Sequence, residues 1–260
     1  MRRRAAAALL CALLLAVAAC GGDDTAEATL APGATPAGDI TVFAAASLTD
    51  AFTEVGATFE AEYPATEVTF NFAASSALAT QITEGAPADV FASANATQMD
   101  NVVGAGANDG DPQPFATNVL QIAVPPDNPG QVTGLEDFAD AGLLIGLCAE
   151  EVPCGQFGRE ILARGGITPA VDTNETDVRA LLTKLEAGEL DAGLVYRTDV
   201  LSSDGGVEGI EIPGDQNVVA TYPIVALADS GAPDVAGAFV DFVVSLAGRQ
   251  VLERFGFQAP

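Results

Sequence analysis

From Asp39 onward, apolar runs of strand length alternate with segments whose apolar residues recur at helical spacing. Asp39 to Ala45 reads as a strand; Leu48, Phe52, Val55 and Phe59 follow as one helix face, ending before Pro64. Glu67 to Phe72 reads as a strand and Ala77 to Glu84 as a short helix with Leu78 and Ile82 inward. Ala88 to Ala92 is strand-like, a Gly/Asp/Pro-rich loop is expected from Gly104 to Pro114, and Val119 to Val124 starts another strand. Leu143 to Leu147 is a strand entering a cysteine loop. Phe157, Ile161 and Leu162 mark a helix closed by Gly165-Gly166, and Val178, Leu181, Leu182 and Leu185 one closed by Gly188. Leu190 to Tyr196 is a strand, Val218 to Leu227 a strand-like run broken by Pro223, and Val235, Phe239, Phe242 and Val243 begin a final helical segment running to Arg254. Repeated strand–helix alternation is satisfied by parallel sheets with helices on both faces. Ligands of such sheets bind at the carboxyl ends of the strands. Ser47, Ser75, Cys154, Val178 and Tyr196 all fall at such ends.

Two of these ends share a pattern. Val42-Phe43-Ala44-Ala45-Ala46-Ser47-Leu48 and Phe70-Asn71-Phe72-Ala73-Ala74-Ser75-Ser76-Ala77-Leu78 each run from an apolar strand through small residues to a serine and into a helix. A serine there sets a hydroxyl beside unpaired backbone N–H groups at the positive end of the helix dipole. That is an anion site built without formal positive charge. Taken singly, such a serine is more often an N-cap.

Charge narrows the partners. The chain carries 10 Lys+Arg against 36 Asp+Glu, a formal net charge of -26, and no histidine. This argues against nucleic acid and against polybasic membrane contact. It does not exclude an anionic ligand, because bulk charge is screened within about 8–10 Å while desolvated N–H donors act locally. Without histidine or a plausible acid/base pair, an enzyme is disfavoured.

The N-terminus reads as an export signal. Met1-Arg2-Arg3-Arg4 precedes an apolar run from Ala5 to Ala19, then Cys20-Gly21. The run is short for a membrane span of about 20 residues. Small residues before Cys20 resemble a bacterial lipobox, so residues 1–19 are expected to be a signal peptide, Cys20 the lipidated residue, and 20–38 a flexible linker. A plain signal peptide is the alternative. Cys148 and Cys154 form a close pair, most simply a disulfide outside the cytoplasm. A metal site is the rival, weakened by the missing histidines.

Over Asp39 to Pro260 the chain resembles the substrate-binding proteins of molybdate ABC transporters. The resemblance lies in Thr41-Val42-Phe43-Ala44-Ala45-Ala46-Ser47-Leu48 and Ala74-Ser75-Ser76-Ala77-Leu78-Ala79-Thr80-Gln81-Ile82. It continues in Gly85-Ala86-Pro87-Ala88-Asp89-Val90-Phe91-Ala92-Ser93-Ala94, Val152-Pro153-Cys154-Gly155, Asp177-Val178-Arg179, Gly193-Leu194-Val195-Tyr196 and Arg254-Phe255-Gly256-Phe257. It implies an α/β, bilobal type II periplasmic binding protein fold with two mixed, mostly parallel sheets flanked by helices. Residues 39–117 with 223–260 would form lobe I and 118–222 lobe II, with hinges near Ala116 to Val119 and Ala220 to Pro223. It further implies molybdate (or tungstate) as ligand, held by Ser47 and Ser75 through hydroxyl and backbone N–H, Cys154 and Val178 through backbone N–H, and Tyr196 through its phenol. Ser76 is the competitor of Ser75, and Arg179 is not assigned to the anion. Molybdenum would enter only as the oxyanion, with no direct protein ligand and no other cofactor. The implied partners are a permease and ATPase complex and, through the lipid, the membrane, with the receptor itself a monomer. A same-fold receptor for sulfate or another small ligand is the alternative.

Overall fold

The computed structural model describes residues 35–260. The expected signal, Cys20 and most of the linker lie outside the described residues.

The first half of the structure is built from β1 (Gly38–Ala45), α1 (Thr49–Glu62), β2 (Thr66–Ala73), α2 (Ser75–Thr83), β3 (Val90–Ala92) and α3 (Ala96–Gly104). A long strand, β4 (Asn108–Val124), leads into β5 (Ile145–Cys148), α4 (Pro153–Arg164), β6 (Val171–Glu175), α5 (Val178–Glu186), β7 (Ala192–Tyr196), α6 (Arg197–Ser202) and β8 (Glu208–Glu211). The chain returns through β9 (Val219–Leu227) and closes with α7 (Pro233–Val244) and α8 (Leu246–Arg254). The strand order is β2-β1-β3-β9-β4-β7-β5-β6, with β8 also on β4. Pairing is parallel for β1 with β2 and β3, and for β5 with β6 and β7. The strands β3, β9, β4 and β7 pair antiparallel in turn.

β4 decides the shape. Residues Asn108 to Val119 pair with β9, whereas Leu120 to Val124 pair with β7 and β8. One strand thus belongs to both expected sheets, and the hydrogen-bonded path runs from one into the other. Each half carries the helical pattern that the sequence shows. Phe52 and Phe59 of α1 pack edge-on against Phe239 of α7, with centroids 6.3 and 5.2 Å away. Leu181, Leu182 and Leu185 of α5 are buried in the other half.

Three expectations are corrected. The Gly104–Pro114 segment is not a loop throughout, because Asn108 to Pro114 is strand paired with β9. Its glycine and prolines sit at register shifts between Asp109 and Gln113 and between Pro114 and Ala116. There a missing N–H interrupts the ladder without ending it. Pro223 does not break β9: it lies opposite Pro114, so the two absent donors face each other, and its carbonyl accepts from Ser93 N at 2.9 Å. The last helical segment is two helices bent by 61° around Ser245, whose hydroxyl caps α8 by accepting from Gly248 N. The elements α3, β6, α6 and β8 lie outside the segments assigned from the sequence. Among the described residues no single helix is long and apolar enough to cross a membrane.

Candidate functional site

The structure brings the five predicted residues, Ser47, Ser75, Cys154, Val178 and Tyr196, into the lining of one small pocket between the two halves. Each arrives there for a local reason. β1 ends at Ala45 and turns through a 3-10 segment, Ala46–Leu48, into α1. β2 ends at Ala73, and α2 begins at Ser75. The alanines at both turns leave room for the backbone to approach a ligand. Pro153 occupies the first turn of α4, where its missing N–H costs nothing. Asp177 caps α5 by accepting from Ala180 N at 2.9 Å. The N-terminal ends of three helices and the 3-10 turn therefore converge on the pocket. Their first-turn N–H groups have no acceptor within their own helices.

The two serines are not caps. Neither Ala45–Leu48 nor the start of α2 has a side-chain capping bond. Ser75 Oγ accepts from Ala94 N at 3.0 Å, which leaves its own proton free. Ser47 Oγ lies 3.0 Å from Tyr222 Oη. Ser76, one residue on, does not line this pocket; it faces the groove outside it, with Thr80, Gln98 and Glu151.

Tyr196, on the last residue of β7, is 1% exposed, and its Oη has no hydrogen-bond partner among the described residues. Buried hydroxyls normally find one. Burial, with Tyr222 and Asp199 nearby, pushes its pKa well up, so it can only remain a protonated donor. Burial likewise raises Tyr222. The pocket lining contains no Lys or Arg and one acid, Asp177, already engaged at its helix.

Cys148 and Cys154 are joined by a disulfide with Cα atoms 5.8 Å apart. The bridge ties the end of β5 to the start of α4. At the neighbouring Gly155 a Cβ would overlap the Ala149 carbonyl oxygen, so glycine permits this close approach. Arg159 closes the loop from outside, donating to Cys148 O at 2.8 Å and Gly155 O at 3.1 Å.

Arg179 points away from the pocket. It donates to Asp50 at 2.7 Å and Ser202 at 2.8 Å, and lies 3.7 Å from Asp199 Oδ1. Asp199 is 1% exposed and its Oδ1 has no hydrogen bond. Burial raises its pKa to about 7, against the pull of Arg179. Other contacts also span the cleft: Asn95 Nδ2 donates to Gln156 Oε1 at 2.9 Å, and Gln98 Nε2 to Glu151 O at 3.4 Å. Sequence reasoning missed Tyr222, Asp199, Asn95 and Gln156, since no local motif marks them.

The arrangement has the chemistry of a receptor. It offers donors from several directions, no nucleophile beside a base, and no group of three His, Cys, Asp or Glu placed for a metal among the described residues. A family model, described as a bacterial extracellular solute-binding protein, matches residues 40–258. The molybdate-binding protein ModA of Mycobacterium tuberculosis is 42% identical over 235 residues, covering 88% of this chain and 90% of its own. Two solved structures share the fold at 18% identity. The sulfate-binding protein SubI of Mycobacterium tuberculosis superposes with a TM-score of 0.77, covering 85% of this chain and 86% of its own. The periplasmic molybdate-binding protein of Azotobacter vinelandii gives 0.75, covering 85% and 99%. With its two-part sheet, its cleft of helix ends and this match over nearly the whole described chain, the protein belongs to the bacterial extracellular solute-binding protein family.

Proposed function

We propose that this protein is the extracytoplasmic receptor of a molybdate importer, capturing the oxyanion and delivering it to an ABC permease driven by its ATPase. The observation that carries this is one small pocket where N–H groups at helix starts meet the hydroxyls of Ser47, Ser75 and Tyr196, with no Lys or Arg in its lining and its one acid, Asp177, bonded to its own helix. Molybdate is a dianion with no proton to donate. A donor-only site suits it and leaves the O–H of hydrogen phosphate unpaired. The 42% identical molybdate-binding relative supports the same ligand. Tungstate and sulfate have the same charge and shape, and the similar fold of a sulfate-binding protein makes them the necessary comparisons.

In this reading Ser47, Ser75 and Tyr196 donate hydroxyl protons, and Ser47, Ser75, Cys154 and Val178 donate backbone N–H groups. Residues 39–117 with 223–260 act as one lobe and 118–222 as the other. The lobes close around the ligand by bending near Ala116 to Val119 and Ala220 to Pro223, where β4 and β9 run side by side. The receptor acts as a monomer, has no enzymatic activity, and is held to the membrane by an acylated Cys20. Calorimetry of the mature domain against molybdate, tungstate, sulfate and phosphate tests the ligand. Strong binding of molybdate with none of phosphate is expected; phosphate binding as tightly as molybdate would refute the donor-only site. Mass spectrometry of membrane-extracted protein tests the anchor, and an unmodified N-terminus within the linker would exclude it.

A further inference from the structure

Tyr222 stands behind Ser47 and outside the pocket lining. It lies on β9 opposite Ala116 of β4, and its side chain is completely buried. Its ring is held edge-on by Phe115, Tyr196 and Phe257, with centroids 6.2, 5.9 and 5.4 Å away. We propose that Tyr222 is a positioning residue of the anion site: it donates its hydroxyl proton to Ser47 Oγ and so turns the Ser47 proton into the pocket. This rests on the reading of the pocket as an oxyanion site.

The argument is one of proton direction. A serine hydroxyl has one proton and rotates to suit its neighbours. Ser47 makes no capping bond, so its own turn does not fix that rotation. Between Ser47 and Tyr222 only one proton can lie on the 3.0 Å line. If Ser47 donated, its oxygen would present a lone pair to the anion. If Tyr222 donates, Ser47 keeps its proton for the ligand. A desolvated dianion selects the second arrangement, because hydrogen bonds to charged groups are the stronger ones. Ser75 shows the same device built differently, since Ala94 N–H fills its acceptor position from behind at 3.0 Å. One serine is thus held as a donor by a backbone amide and the other by a phenol. The phenol sits on a strand that crosses the expected hinge region, which links the orientation of Ser47 to the pairing of β4 and β9.

The test is a double-mutant cycle of Tyr222→Phe and Ser47→Ala, read by calorimetry with whichever of molybdate, tungstate and sulfate the parent binds. Tyr222→Phe keeps the ring and is expected to weaken binding about three- to tenfold. In the Ser47→Ala background the same change should cost less than about twofold, because the oxygen it orients is gone. In the Ser75→Ala background the two losses should multiply. Equal losses in the parent and Ser47→Ala backgrounds, or no loss in the parent, would overturn the proposal. If Tyr222→Phe does not fold, fluorotyrosine-labelled parent supplies the readout, since the chain has three tyrosines. The Tyr222 resonance should move when the anion is added and stay in place in Ser47→Ala; the same movement in both refutes the coupling. A parent that binds none of the three anions overturns the oxyanion reading as well. Binding with an additive cycle overturns only this inference.

Discussion

Arg179 Nη2 lies 2.7 Å from Asp50 Oδ2, joining the first turns of α5 and α1 across a separation of 129 residues. The contact sits one residue after Val178, at the edge of the pocket, and ties together the two halves of the sheet. It is also the outer end of a chain that continues inward to the buried Asp199, 3.7 Å from Arg179 Nη1.

The two ends of this chain should respond differently to mutation. Asp50 and Arg179 are both partly exposed, and such pairs contribute about 0–1 kcal/mol. Asp50→Ala should therefore leave thermal stability almost unchanged and weaken molybdate binding by less than about fivefold. Arg179→Ala also strips Asp199 of its nearest cation. Leaving a buried polar group uncompensated costs about 1–3 kcal/mol, so this variant should unfold at clearly lower temperature. Equal stability of the two variants in denaturant titrations would show that Asp199 does not depend on Arg179.

Asp199 makes stability depend on pH in a defined window. Its pKa is raised by burial to about 7, so folding favours the protonated form. The stabilisation is complete below the ordinary carboxylate range near pH 4 and is lost as pH rises through 7. The chain has no histidine, so no other side chain of ordinary pKa titrates between pH 6 and 8. Unfolding free energy should fall from pH 5 to pH 8 with a slope on the order of 1 kcal/mol per pH unit. In Asp199→Asn that slope should flatten. A parent protein whose stability is level over this range would contradict the assignment.

Loss of hydroxyl donors should be costly, and loss of apolar bulk should not. Under the proposed assignment, Ser47→Ala, Ser75→Ala and Tyr196→Phe should each remove a bond to a desolvated dianion and cost about 1.5–3 kcal/mol, or tenfold or more in affinity. Val178→Ala keeps its backbone N–H and should bind within about threefold of the parent. Calorimetry that ranks Val178→Ala below Tyr196→Phe would point to an apolar pocket instead.

The disulfide should matter more to the site than to the fold. Cys148 and Cys154 close a loop with a separation of 6 residues, worth about 2 kcal/mol by loop entropy. Replacing both by serine should lower the unfolding midpoint modestly. It should also weaken molybdate binding, because the Cys154 N–H is no longer held against the pocket. Free-thiol labelling of the folded parent should find neither cysteine reactive.

The alternation of strands and helices, and with it the strand ends at or after which Ser47, Ser75, Cys154, Val178 and Tyr196 sit, is legible along the chain. These are local matters: periodicity of two or near four, alanines that admit a turn, a proline or aspartate at a helix start. The sequence also exposed the absence of histidine and the paired cysteines. The strand at Asn108–Pro114 was not legible, because its hydrogen-bond partners are in β9, more than a hundred residues away, and Asp, Gly and Pro there read locally as a loop. Pro223 misled for the same reason: opposite Pro114, its missing donor leaves no partner unpaired. The polarity of the site was likewise decided only by tertiary structure. Ala94 stands behind Ser75, Tyr222 behind Ser47, and Asp199 with Arg179 beside Tyr196. Which way a hydroxyl points depends on the atom across from it, and those atoms come from distant parts of the chain that meet only in the folded structure.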